Sequence, residues 1–172
     1  LADEAMVARV YDGIPLWASI HIAGGFAAGE VADTDKHALM AQLDGNLVSC
    51  FLCCRAAVNG MLKGGQGGRI VNVAARPALE WRSGAGMGAY TIAKTGVAAL
   101  TVALAEEVAK DGILVNAVAP SIMDTPANRA AMPKANFDAW PKVEEVTETI
   151  LFLASPDNRV TRGAIVPVYG KS

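Results

Sequence analysis

Short apolar runs alternate with long helical stretches along this chain, and that alternation constrains the fold more than any other feature. Residues 16–22 (LWASIHI), 70–74 (IVNVA), 113–119 (ILVNAVA) and 164–168 (AIVPV) read as buried strands. Between them, helices are predicted from an N-cap at Thr34 or Asp35 to about Leu62, from about Met87 to Lys110, and over Val143–Ala154. A shorter helix covers 3–10 and ends at Asp12-Gly13. Strands separated by helices of this length build βαβ units, hence a parallel sheet with right-handed crossovers and helices on both faces. The expected fold is α/β: a three-layer, Rossmann-type, doubly wound parallel sheet forming a single domain over residues 1–172.

Composition narrows the function classes. The chain is 52% apolar and 19% charged with a net charge of −2, which excludes intrinsic disorder. No basic surplus exists to neutralise phosphates, so a nucleic-acid partner is not expected. Nor is a membrane, because charges or glycines interrupt each apolar run before the ~20 residues of a span. Cys50, Cys53 and Cys54 crowd into one helical stretch and read as buried thiols in a reducing, cytoplasmic compartment. His21 and His37 stand at no ligand spacing from them, so no metal site is expected. The chain opens on Leu1 without a targeting pattern, and is expected to be part of a longer product.

The sharpest chemical signal is Tyr90-Thr91-Ile92-Ala93-Lys94. A tyrosine and a lysine at i and i+4 share a helix face, where an ammonium favours phenolate and makes the hydroxyl a usable proton donor. Three further features fall in the same region of the predicted fold. A glycine turn, Ala23-Gly24-Gly25, follows the first strand; Asn46 lies in the next helix; Ala119-Pro120-Ser121 follows the third strand. Open α/β sheets bind ligands at the carboxyl ends of their strands. Gly45 and Asn46 in mid-helix each cost up to about 1 kcal/mol against alanine, which points to a reason other than propensity.

On these residues the chain resembles the short-chain dehydrogenase/reductase family, of which it would form the C-terminal two-thirds. Tyr90 and Lys94 match the family's YxxxK, and Asn46-Leu47-Val48-Ser49-Cys50-Phe51 its asparagine-bearing helix. Val115-Asn116-Ala117-Val118-Ala119-Pro120 matches its VNxxAP strand end, with Ser121 where glycine is usual, and Ala23-Gly24 the end of its NNAG turn. Within the family the chain looks closest to dihydropteridine reductases. That likeness rests on Asp124-Thr125-Pro126-Ala127-Asn128-Arg129, Met132–Phe137 and Trp140, with Ala23–Phe26 and Ala78-Leu79.

The resemblance implies an NAD- or NADP-dependent oxidoreductase acting on a small molecule, a carbonyl compound or a quinonoid dihydropteridine. It implies catalytic roles for Tyr90 as proton donor, Lys94 as the cation that lowers its pKa and binds the nicotinamide ribose, and Asn46 as the link to solvent through water. It also implies cofactor contacts at Ala23, Gly24, Tyr90, Lys94, Pro120, Ser121, Ile122 and Thr125. A homo-oligomer, dimer or tetramer, is implied as well, with the two long helices in its interface. Their small residues Ala56, Ala57, Ala98, Ala99 and Ala103 would permit close approach.

Two departures stand out. The family's catalytic serine is replaced by Ala75, and losing such a donor typically costs about 2.7–4 kcal/mol of transition-state stabilisation. Dihydropteridine reductases similarly lack it, while Ser83, in a loop expected to be mobile, is a substitute candidate. The family's Gly-rich phosphate turn is the second. Neither 64–68 (GGQGG) nor 84–88 (GAGMG) stands between a strand and the helix it would open. The chain therefore reads as incomplete at the N-terminal half of the fold, beginning after the third strand, with an open edge on its own first strand. Generic carbonyl or 3-oxoacyl reductase activity, and an inactive fragment serving as an assembly subunit, remain the alternatives.

Overall fold

Four strands lie side by side in chain order, all parallel, in a computed structural model that describes residues 1–172. They are β1 (Ala18–His21), β2 (Gly68–Val73), β3 (Ile113–Pro120) and β4 (Ile165–Val168). Register is fixed by pairs such as Ser19 with Ile70, Val71 with Asn116 and Val118 with Val166. The helices are α1 (Glu4–Tyr11), α2 (Lys36–Gln42), α3 (Ser49–Gly64), α4 (Arg76–Leu79), α5 (Gly88–Glu107), α6 (Pro126–Ala131) and α7 (Val143–Ala154). Asp35 caps α2, its side chain accepting from Ala38 N at 2.8 Å. The predicted strands at 16–22 and 70–74 are shorter or shifted by a few residues, and α7 has the predicted bounds.

Side-chain alternation along the strands sorts the core into two layers. Ile70 and Ala74 of the β2 run, with Ile113, Val115, Ala117 and Ala119 of β3, pack against Cys54, Ala57 and Met61 of α3 and Val97, Ala98 and Leu104 of α5. Val71 and Val118 point the other way, onto Val146, Leu153 and Ala154 of α7. The three-layer α/β sandwich is therefore present.

Its crossovers correct the expectation of a uniform right hand. All three connections advance the sheet in the same direction, yet α3 and α5 cover one face and α7 the other. The connection through α7 must then have the opposite hand to the first two. Its length explains how the rule is escaped: the excursion between β3 and β4 carries α6 and α7, and α7 packs under β1, β2 and β3. The right-handed preference governs tight units in which the helix sits between the strands that it joins.

The interrupted apolar runs expected from the sequence are not what the helices show: the continuous helices Lys36–Gly64 and Gly88–Glu107 are long and apolar enough to cross a bilayer. Within them, α3 and α5 bury one face in the core against the sheet.

Turn chemistry closes the α3–β2 connection. Gly65 ends α3 at φ +66°, and Gly67 at φ +71° would place an added Cβ 2.6 Å from the Gly112 carbonyl oxygen, a backbone atom that cannot step aside. Gly67→Ala is expected to cost more than the roughly 1–2 kcal/mol of the left-handed conformation alone. Chemical denaturation should register it as a lower midpoint at unchanged slope.

Candidate active site

The carboxyl end of the sheet gathers three of the residues singled out by the sequence, Asn46, Tyr90 and Lys94, around the turn after β1. Lys94, on α5 one turn beyond Tyr90, is buried and donates from Nζ to the Val73 carbonyl at 2.8 Å. That carbonyl emerges from the last residue of β2, so the strand end holds the ammonium in place. Burial lowers the Lys94 pKa, with the neighbouring Cys50 acting in the opposite sense. The Nζ stands 5.9 Å from the centre of the Tyr90 ring.

Tyr90 departs from expectation. Its phenol is raised above the ordinary tyrosine value by burial, not lowered by Lys94. The ring is met edge-on by Phe26 at 5.1 Å, an exposed residue of the loop after β1. That loop is tied to the approach of α5 by Gly29 N donating to the Gly86 carbonyl at 2.8 Å.

Asn46 explains the weak helix former in mid-helix. Residues Leu43–Val48 form a π-helical segment between α2 and α3, and Asn46 is buried within it. Its Nδ2 donates to the Gly25 carbonyl at 2.9 Å and the Gln42 carbonyl at 3.0 Å, while its Oδ1 accepts from Gly25 N at 3.2 Å. Asparagine thus clamps the glycine turn through the backbone. An added Cβ at Gly24 would lie 2.6 Å from Asn46 Oδ1 and 3.5 Å from Lys94 Nζ. Gly24 therefore marks where these two side chains come together, with Ala23 and Gly24 themselves on the exposed side of the turn.

The remaining positions frame the edge. Pro120 is buried at the end of β3. Ser121 donates to the Tyr169 carbonyl at 3.2 Å and contacts Ser172 Oγ at 2.7 Å, so its hydroxyl is engaged with the C-terminal segment. Ile122 is exposed, and the Thr125 hydroxyl caps α6 by accepting from Asn128 N at 3.2 Å. Ala75 is extended and buried immediately before α4. Ser83, expected in an irregular loop, lies in a 3-10 turn, exposed, with its hydroxyl donating to the Glu80 carbonyl at 2.7 Å.

The segment from Asp124 to Trp140 folds as a closed flap beside this edge. Asp124 N donates to the Pro141 carbonyl at 2.9 Å and closes the base. Arg129 grips Asp124 with two hydrogen bonds, 2.6 and 2.8 Å, and stacks its guanidinium 4.7 Å from the Phe137 ring centre. Phe137 in turn meets the buried Trp140 at 5.1 Å.

Sequence spacing also missed a buried polar group. His21 Nδ1 lies 2.8 Å from Asn72 Oδ1, which accepts from the thiols of Cys50 at 3.3 Å and Cys54 at 3.4 Å. Fold topology supplies the proximity: His21 ends β1, Asn72 pairs with it on β2, and α3 lies across both. A search by ligand spacing along the chain cannot see that meeting. All three cysteines are buried and free, as expected. The Cys50 thiol is pulled down by hydrogen bonding from Cys54 and then His21 against the effect of burial, while Cys54 is pushed up.

A parallel α/β sheet with tyrosine, lysine and asparagine gathered at its carboxyl edge places the chain among the open-sheet α/β proteins, which bind ligands at that edge. Residues 6–170 match the family described as enoyl-(acyl carrier protein) reductase. The chain belongs to the short-chain dehydrogenase/reductase family. It is 35% identical over 133 residues to the (2S)-[(R)-hydroxy(phenyl)methyl]succinyl-CoA dehydrogenase subunit BbsD of Thauera aromatica, covering 73% of this chain and 52% of that one. It is 32% identical over 136 residues to the 3-oxoacyl-[acyl-carrier-protein] reductase FabG of Vibrio cholerae, covering 74% and 54%. The solved structure of ElxO with NADP bound superposes with a TM-score of 0.89 at 26% identity, covering 98% of this chain and 74% of that one. A short-chain dehydrogenase/reductase family oxidoreductase from Burkholderia thailandensis gives 0.86 at 28%, covering 98% and 68%. The chain spans about half the length of the curated relatives it matches.

Proposed function

We propose that this chain carries the catalytic part of an NAD(P)H-dependent reductase in which Tyr90 donates the proton. The observation that carries the reading is the junction of Tyr90, Lys94 and Asn46 around Gly24 at the sheet's carboxyl edge. Two features fit a nucleotide lying over this edge. Gly24 is exposed and has no side chain to stand between the solvent and the Asn46–Lys94 junction, and Lys94 Nζ spends one donor on Val73, leaving others for ribose hydroxyls. Ala23, Pro120, Ser121, Ile122 and Thr125 would line the same edge toward the nicotinamide.

When bound, the reduced nicotinamide supplies a hydride to the electrophilic carbon of the substrate. Tyr90 gives its phenolic proton to the substrate heteroatom as the C=O or C=N π pair moves onto it. The burial-raised pKa suits that role, because it keeps the phenol protonated at neutral pH. Lys94 stabilises the phenolate left behind, and Asn46 holds the turn that fixes the floor of the site. Ala75 offers no donor to a developing alkoxide, so a conjugated quinonoid dihydropteridine, which spreads its charge over a ring, is the favoured substrate. The flap built on Asp124, Arg129, Phe137 and Trp140 supports the same choice, as the segment most like dihydropteridine reductases. Similarity to FabG-type reductases favours a 3-oxoacyl thioester as the second reading.

The outward faces of α3 and α5 carry exposed Phe51, Leu62, Ile92 and Val102. Ala56, Ala99 and Ala103 lie on or near those faces, whereas Ala57 and Ala98 belong to the chain's own core. This supports burial of the two helices between subunits of a homo-oligomer. The free thiols support a reducing, cytoplasmic setting.

Assays with NADH and NADPH, each against quinonoid dihydropterin and acetoacetyl thioester, separate the readings. Turnover of the pterin alone is the expected result. Turnover of the thioester alone would move the assignment to 3-oxoacyl reduction. A folded protein that turns over neither substrate would support a role in assembly only.

A further inference from the structure

Four donor atoms from β1, α3 and β2 converge under the candidate active site: His21 Nδ1, Cys50 Sγ, Cys54 Sγ and Asn72 Oδ1. The two thiols and the imidazole nitrogen lie within 4.8 Å of one another, and all the residues are buried. Asn72 Oδ1 is 2.8 Å from His21 Nδ1, 3.3 Å from Cys50 Sγ and 3.4 Å from Cys54 Sγ; Cys54 Sγ is 3.5 Å from His21 Nδ1. A tetrahedral zinc with ordinary Zn–S and Zn–N bonds sets its sulfur–nitrogen and sulfur–oxygen edges at about 3.5 Å. The sulfur edges of 3.3, 3.4 and 3.5 Å therefore have nearly the length that such a cation sets, and the 2.8 Å contact of His21 with Asn72 has to open by about half an ångström when the ion enters. One carbonyl oxygen with two lone pairs also faces three donors, more than hydrogen bonding alone can serve well.

We propose that His21, Cys50, Cys54 and Asn72 form a buried, four-coordinate site for Zn2+. The ligand set of two thiolates, one imidazole and one carbonyl suits a borderline-soft cation without redox chemistry. Two thiolates balance the charge of the ion, so the buried group is neutral and avoids the cost of an unpaired charge. On binding, two thiol protons leave to solvent and two Zn–S bonds replace the S–H bonds. His21 gives up its Nδ1 hydrogen bond and carries its proton on Nε2, facing Ser19 Oγ at 2.8 Å and Tyr11 Oη at 3.2 Å. Those hydroxyls can accept as readily as donate. Asn72 is oriented in turn by Nδ2 donating to Thr101 Oγ1 at 2.9 Å. Metal ligands are ordinarily held by outer partners of this kind. A hollow of about 260 Å³ lined by Tyr11, Ile20, His21, Cys50 and Cys53 leads in from the surface. With four protein ligands the ion has no open position, so its role is to pin the end of β1 to α3, four residues beyond Asn46.

The test uses reduced, chelator-treated protein titrated with Co2+ as the probe and then with Zn2+. One equivalent of Co2+ is expected to give thiolate-to-cobalt charge-transfer absorption and the intense visible bands of tetrahedral cobalt, both abolished by Zn2+. In competition with a chromophoric chelator, Thr101→Val should weaken Zn2+ binding by about 10–100-fold, and Cys54→Ala by more than that range. Cys53→Ala should leave binding unchanged. Absence of charge-transfer bands in the unsubstituted protein overturns the proposal, and that measurement requires no variant to fold. Binding retained in folded Cys54→Ala, or lost in folded Cys53→Ala, overturns it equally.

Discussion

Replacing Tyr90 by phenylalanine is expected to lower kcat for the favoured substrate by about 10²–10⁴-fold, the usual contribution of a positioned general acid. KM should change little, and so should stability. The contacts of Tyr90 with Phe26 and Lys94 run through its ring, which phenylalanine retains. The pH profile supplies a second readout. Burial raises the Tyr90 pKa above its ordinary value, so the donor stays protonated through the neutral range. Reduction should hold level there and decline only on the alkaline side, as the phenol ionises. The phenylalanine variant should lack that alkaline limb. Undiminished kcat in Tyr90→Phe would remove Tyr90 from the mechanism.

Asn72→Ala is expected to give the largest loss of stability, about 3 kcal/mol. Asn72 is fully buried, accepts from His21, Cys50 and Cys54, and donates to Thr101. Truncation strands the His21 N–H, a buried donor whose loss of partner costs roughly 1–3 kcal/mol, and leaves a cavity besides. Thr101 is spared, because its hydroxyl still donates to the Val97 carbonyl at 2.8 Å. Urea unfolding of metal-free protein should show a lower midpoint at unchanged slope. A loss under about 1 kcal/mol would mean that the polar group is re-solvated on truncation, and that the network adds little beyond packing.

Much of this was legible in the residues because it depends on local pattern. Apolar runs bounded by turns gave the strands, and the i, i+4 spacing placed Tyr90 and Lys94 on one helix face. Asn46 stood out because it offends helix propensity, and the π-helical segment with its hold on Gly25 is the reason. What escaped was set by tertiary geometry. The opposite hand of the α7 connection arises from a long excursion whose path no local pattern records. The phenol of Tyr90 responds to burial, which depends on Phe26 folding back from another loop. His21 reaches Cys50 and Cys54 only because parallel pairing lays β1 beside β2 beneath α3. Ser83 read as part of an irregular loop because glycines flank it, yet a 3-10 turn absorbs it.

The π-helical segment has a further consequence for the helix that contains it. One residue beyond the α-helical count sets back the angular phase of everything downstream by about 100°. Upstream, α2 is turned toward α5; downstream, α3 is turned toward α1 and the sheet. A single unbroken α-helix would have to favour one of these two sets of neighbours. The widened turn acts as a phase shifter, letting one continuous rod present differently aimed faces to two different walls. The residue at the point of rotation is Asn46, so the clamp on Gly25 and the change of aim are one device.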